Sequence, residues 1–437
     1  MKVPFLLLLG LAVTAICAGR DPAAFGAVLD GRTNDRSALQ RAIDAAHAAG
    51  GGTVTIPAGR SLLSGSFELK SHVVLHLAPG SRLVASTERA DYRGDVFIEA
   101  FGAEAIAITG TGTIEGRGIE FMAEAGPHIF RPKPWRPKMM VLEGCRRVRL
   151  TDFTLRDAPQ WAIHLAGCDD VAVRGLTILN NPKIPNCDGI DPDHSRNVRI
   201  SECHIEAGDD CIVIKNRREY AKYGPAENIT VTNCTLISTS AALKIGTETM
   251  DDIRDVVISN CVIRGSHRGV ALMLRDEGSI ENVLVQNLVI ETRLFAPVWW
   301  GAAEAISITA VPRTAGAKIG RLRGVRFQQI RARGEGGVFV SGSPESVIED
   351  VAFHDVDIAL VRTTAETAGR VDLRPSAGAK PPAVGPLTGF RIRHARDITL
   401  RDCSLRWSRP KPADAVALRH DEATANIRIV GFREFGP

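Results

Sequence analysis

Two short acidic clusters hold the residues best suited to chemistry in this chain: Asn186-Cys187-Asp188-Gly189-Ile190-Asp191 and Gly208-Asp209-Asp210-Cys211. Asp188 and Asp209 are 21 residues apart. Carboxyl groups gathered in one place cannot all ionise comfortably. One is pushed to keep its proton near neutral pH, while the others stay ionised and can activate water. An acid facing a base is the arrangement that breaks a glycosidic bond. It needs a rigid scaffold that returns the chain to the same place at regular intervals.

Such a scaffold is written in the surrounding sequence. From about residue 145 a phrase recurs: Asn or Asp, a β-branched residue, alternation, then a second apolar pair. Asp170-Val-Ala-Val-Arg-Gly-Leu-Thr-Ile178, Asn197-Val-Arg-Ile-Ser-Glu-Cys-His-Ile205 and Asn228-Ile-Thr-Val-Thr-Asn-Cys-Thr-Leu236 are examples. Its first β-branched residues fall at 148, 171, 198, 229, 256 and 283, with echoes near Val325, Val351, Ile398 and Ile427. A period of this length, with two-residue alternation and no helical spacing, predicts stacked turns of short parallel strands. The fold expected is all-β, a right-handed parallel β-helix forming one domain over residues 19–437, because each turn buries its inward side chains only against its neighbours. Asn and Asp ahead of each strand tolerate the left-handed backbone of a sharp turn. Asp170, Asp255, Asp350 and Asp397 hold that position and are read as structural. Asp188, Asp209 and Asp210 do not hold it. Cys203, Cys234 and Cys261 share one position in successive repeats, which favours small side chains stacked inside the coil over a disulfide framework.

The ends differ from the repeat. Met1-Lys2, the apolar run Phe5 to Ala18 and the polar Arg20-Asp21 read as a signal peptide over residues 1–18, too short for a stable membrane anchor. Secretion or a periplasmic location is the expectation, and lipidation at Cys17 the weaker alternative. Ser37 to Gly50 has apolar residues at Leu39, Ala42, Ile43 and Ala46, the spacing of an amphipathic helix that would cap the first turn. Residues 365–387, rich in Ala, Pro and Gly, read as a long loop. The charge of +4 from 54 basic and 50 acidic residues, with no basic run interleaved with aromatics, argues against a nucleic-acid partner. No pair of closely spaced cysteines suggests zinc.

The residues also carry a resemblance. Asn186-Cys-Asp188 followed one turn later by Gly208-Asp209-Asp210-Cys211 resembles glycoside hydrolase family 28, the polygalacturonase-like pectin hydrolases. Phe25-Gly-Ala, Asp30-Gly-Arg-Thr-Asn-Asp35 and Gly51-Gly-Thr-Val54 are similar to the start of that wider group. The resemblance implies Asp209 as the general acid, Asp188 and Asp210 as the groups that hold and deprotonate water, inversion at the anomeric carbon, and neither metal nor cofactor. Two departures stand out. Where the family has Gly-His-Gly this chain has Ser240-Ala241-Ala242. Where it has Arg-Ile-Lys, which grips the sugar carboxylate, this chain has Ala271-Leu272-Met273. Lys244 and Arg275 are the first candidates to replace the lost cations, then Lys215 and Arg217. His194 is a candidate for the missing histidine, and Asn186 a further substrate contact. Trp299-Trp300 offers a ring for stacking on sugar. Tyr220 and Tyr223 lie in an insertion between Arg217 and Asn228 that would wall off one end of the cleft and favour release from chain ends.

The leading expectation is therefore a secreted, monomeric hydrolase of a pectin-type or related acidic polysaccharide. A polysaccharide lyase on the same scaffold and a non-catalytic glycan-binding β-helix are the alternatives.

Overall fold

The computed structural model describes residues 20–368, 370–376, 386–408, 411–421 and 423–436. The expected signal peptide lies outside them, as do Cys17 and most of the Pro-rich part of the expected loop.

Strands dominate the described residues, and they pair in parallel from one turn to the next. In the middle of the stack each turn gives one strand to a 12-stranded sheet and two to a 24-stranded sheet. One turn runs Ile190–Asp193, Arg196–Ser201 and His204–Ala207, and the next runs Ile212–Asn216, Ala226–Thr232 and Thr235–Ser238. This is the expected right-handed parallel β-helix. The repeat positions stack in register, Val171 on Val198, Ile229, Val256 and Val283, then Val325, Val351 and Ile398. All are buried, and removing each from water contributes roughly 1.5–3 kcal/mol.

The turn residues behave as their chemistry dictates. Asp170, Asn197, Asn228, Asp255, Asn282, Asp350 and Asp397 have φ between 50° and 57°, a conformation Asn and Asp adopt more readily than other side chains. Some also bond to each other along the stack: Asn228 Nδ2 donates to Asn197 Oδ1 at 3.3 Å, and Asn282 Nδ2 to Asp255 Oδ1 at 2.5 Å. Cys203, Cys234 and Cys261 stack inside the coil, and the eight described cysteines are free and buried.

The N-terminal helix spans Arg36–Ala48. Its buried Leu39, Ala42, Ile43 and Ala46 join the main hydrophobic core. It covers the first turns, Gln40 exchanging hydrogen bonds with the backbone of Glu68.

Candidate active site

The 12-stranded sheet sets out the chemistry. Its register follows one line through Lys138, Trp161, Asp188, Asp210, Ala241, Arg268 and Glu304, one residue per turn. The backbone hydrogen bonds agree, with Met139 N donating to Trp161 O, Ala162 N to Asp188 O and Gly189 N to Asp210 O. Adjacent turns are about 4.8 Å apart, so side chains on this line are near neighbours. The backbone must pass closely here: a Cβ on Gly189 would lie 2.3 Å from Cys211 O, and one on Gly208 2.3 Å from Ile184 O. This is why each acidic cluster carries its glycine.

Asp188, Asp209 and Asp210 converge as expected. Each offers a carboxylate oxygen within 4.8 Å of those of the other two. Asp188 and Asp210 are buried and Asp209 is the more open. Burial, reinforced by the charges of Asp191 and Asp209, pushes the Asp188 carboxyl well above the usual range, and among the described residues its Oδ1 has no hydrogen-bond partner. Burial and then the Asp210 charge raise Asp209. Burial would raise Asp210 too, but Lys244 and Arg268 outweigh it and hold this carboxyl below its ordinary value. Asp210 is held on both oxygens, Oδ1 accepting from Ala241 N at 3.0 Å and Oδ2 from Lys244 Nζ at 2.7 Å. The three carboxyls thus divide into a fixed anion and two groups of raised basicity.

The cations expected from the sequence have different fates. Lys244 reaches the cluster directly. Lys215, also buried, pairs with Asp191 at 2.6 Å and lies 3.8 Å from Asp188 Oδ2. Burial would depress its ammonium, but Asp191 and Asp188 hold it above the ordinary value. Arg217 pairs with Glu219 at 2.5 Å and lies over the Trp161 ring. Arg275 corrects the expectation. Its guanidinium is fully buried and donates to Leu274 O, Thr309 O and Oγ1, and Arg374 O, so it braces loops instead of facing a ligand. Burial pushes its pKa down to about 9.

His194 is a second correction. It is buried, with Nδ1 against Gly224 O and Nε2 2.9 Å from Arg217 O. Both ring nitrogens hold the insertion in place, and neither replaces the missing histidine. Asn186 acts through shape: at φ 56° its Oδ1 accepts from Arg136 Nη2 at 2.9 Å, while its backbone N–H faces Asp209 Oδ2 at 3.3 Å. Trp300 is already covered, with Arg370 3.4 Å and Arg374 4.3 Å from its ring centre. The insertion forms a short 3-10 helix, Arg218–Tyr223. Tyr220 meets the edge of His164, and Tyr223 bonds to Glu143 at 3.1 Å.

Sequence reasoning missed Lys138, Trp161 and Arg268. Arg268 lies three residues before the segment searched for cations, and counting along the register from Asp210 would have found it. Its buried guanidinium pairs with Asp372 at 3.0 Å and donates to Ser240 Oγ at 3.1 Å.

The fold and the site together define a parallel β-helix that gathers three carboxylates beside one sheet. The chain belongs to glycosyl hydrolases family 28, whose signature matches residues 49–372. It is 30% identical over 300 residues to a probable polygalacturonase of Vitis vinifera, a match covering 62% of this chain and only 60% of that relative's length. Among solved structures it superposes on an exopolygalacturonase from Thermotoga maritima with a TM-score of 0.68 at 23% identity, covering 78% of this chain and 87% of that one. A family 28 exopolygalacturonase of Yersinia enterocolitica gives 0.69 at 19% identity, covering 94% and 78%. At these identities the structures speak for the fold.

Proposed function

We propose that the protein is an exported hydrolase of a pectin-type polysaccharide, and that Asp188, Asp209 and Asp210 carry the reaction. The observation supporting this reading is the meeting of three carboxylates within 4.8 Å, two with raised and one with lowered proton affinity. Asp209, the most open, gives its proton to the leaving oxygen. Asp188, with an unpartnered oxygen and raised basicity, takes the proton of the attacking water. Asp210 stays ionised and orients that water. Each turnover leaves Asp188 protonated and Asp209 ionised, and a proton exchange resets the pair.

Inversion at the anomeric carbon is the stereochemistry of this reading. Inverting pairs usually stand about 6.5–9.5 Å apart, further than these oxygens. A third carboxylate supplies what a close pair lacks, a second holder for the water. Proton NMR of the first-formed product decides the point: the opposite anomer to the substrate's supports inversion, and the same anomer overturns it. Asp209→Asn should lose about 10²–10⁴-fold in kcat while still binding oligosaccharide. Near-normal turnover would rule Asp209 out as the acid.

The closeness of the carboxylates also fits a divalent ion, and with it elimination by a lyase. Lys244 and Lys215 argue against that second reading, since their ammonium groups already neutralise Asp210 and Asp191. A product absorbing in the ultraviolet and abolished by chelator would establish elimination.

A further inference from the structure

The line of residues that carries Asp188 and Asp210 continues at least two turns in each direction, and its two sides differ in charge. Toward the N-terminus it reaches Trp161 and then Lys138. The Lys138 ammonium lies 4.2 Å from the centre of the Trp161 ring, Lys215 4.0 Å and Arg217 5.1 Å. Lys215 is answered by Asp191 and Arg217 by Glu219. Among the described residues, Lys138 has this aromatic partner and no carboxylate within ion-pair distance. It is half-buried, and burial followed by the Arg217 charge lowers its pKa. The indole is itself braced, its ring meeting His164 edge-on at 4.9 Å, while His164 Nε2 lies 3.0 Å from Asp193.

At the other end the line reaches Arg268, also two turns from the carboxylates, and there the charge is cancelled. Asp372 pairs with Arg268 at 3.0 Å and accepts from Arg374 Nε at 3.0 Å, and Glu304 is the next residue on the line. The Asp372 carboxylate fills the place an acidic ligand would take.

We propose that Lys138, with Lys215 and Arg217 around the Trp161 ring, forms a subsite for a sugar carboxylate, and that the Arg268 end receives a sugar without one. The geometry gives three cations gathered over one indole, an ammonium among them without a carboxylate partner, and a run along the solenoid axis shared with the carboxylate cluster. This answers the loss of the Arg-Ile-Lys cations: recognition of the acid group has moved to the N-terminal side of the cluster. The inference rests on the hydrolase reading only for its choice of ligand.

The test is binding, so that it stands apart from turnover. Full-length Asp209→Asn protein is titrated with an oligogalacturonate and with its carboxyl-reduced counterpart, alone and with Lys138→Met or Asp372→Asn added. Lys138→Met should weaken the oligogalacturonate about ten- to hundredfold, the worth of one charge-assisted contact. It should leave the reduced sugar nearly unchanged, and Lys138→Arg should restore most of the loss. Asp372→Asn, which frees Arg268, should tighten the oligogalacturonate. Equal losses for both ligands, or no loss for either, would overturn the subsite in any variant whose melting temperature matches the parent. Should wild-type protein bind as described and yet release no reducing ends, the hydrolase reading falls and the subsite stands.

Discussion

At the residue scale, the site depends on how three carboxyl groups share protons. In the reaction we propose, Asp188 must be ionised and Asp209 protonated in the same molecule, so the rate should rise and then fall with pH. Burial raises both groups, reinforced at Asp188 by the charges of Asp191 and Asp209 and at Asp209 by that of Asp210, which places the whole profile above the ordinary aspartate range, and its two limbs belong to the pair. Lys244 tunes this arrangement through Asp210 and Asp209. Removing its charge favours every protonated form, so Lys244→Gln should move both limbs to higher pH; a profile that stays in place would show that the ammonium does not tune the pair. The same shift bears on stability. Below the ordinary aspartate pKa of about 3.9, folded and unfolded chains both carry the Asp188 proton and the group contributes nothing. Above it the unfolded chain ionises while the folded one resists, so stability is lost as pH rises. Asp188→Asn should therefore raise the melting temperature at pH 7 and leave it unchanged near pH 3, as read by thermal denaturation followed by circular dichroism.

At the scale of the strand and turn, the site depends on two backbone conditions that the sequence carries in different ways. The first is close approach within the 12-stranded sheet. A Cβ on Gly189 would press on the Cys211 carbonyl, and neither backbone can yield without breaking the register that aligns Asp188 with Asp210. Gly189→Ala should cost about 1–3 kcal/mol or more as overpacking, seen as a lower midpoint in urea, and it should reduce kcat by more than the stability loss explains. The second is the left-handed turn before each strand of the larger sheet. Asn282→Ala removes a side chain that tolerates φ 52° and the bond to Asp255, and should cost about 1–2 kcal/mol with kcat unchanged, because these turns lie away from the carboxylates. The turns were legible in the sequence, since Asn and Asp recur there with the period. So were the carboxylates, which break that pattern. Arg275 and His194 were misplaced because their sequence neighbours gave no sign of the carbonyls that surround them. Apart from Leu274 O, those carbonyls belong to other turns and to loops outside the repeat.

At the scale of the whole molecule, what sequence could not give was the line across the sheet. Lys138 and Arg268 stand two turns either side of the carboxylates, and Asp372 reaches Arg268 from a loop more than a hundred residues further on. A period read along the chain finds the turns but not what faces what, because turns of unequal length shift the count. The insertion before Asn228 is the clearest case. The sequence places it as a wall at one end of the cleft, and its Arg218–Tyr223 segment runs back beside earlier turns. There Lys222 and Tyr223 both bond to Glu143, and the Tyr223 ring packs over Gly167. Through Tyr220 and His164 it flanks Trp161. For the hydrolase we propose, a segment standing beside the aromatic end of the groove would confine the polymer there and favour release from chain ends. That predicts many new reducing ends for little loss of viscosity when a long polymer is digested. Tyr223→Ala removes both the ring contact and one bond to Glu143, loosening the wall without touching the carboxylates. It should increase the viscosity lost per bond cleaved while leaving the rate on short oligosaccharides within about twofold, as a surface change distant from the reacting groups should. A wild-type protein that already collapses viscosity with the first few bonds cleaved would show that the wall does not confine the chain.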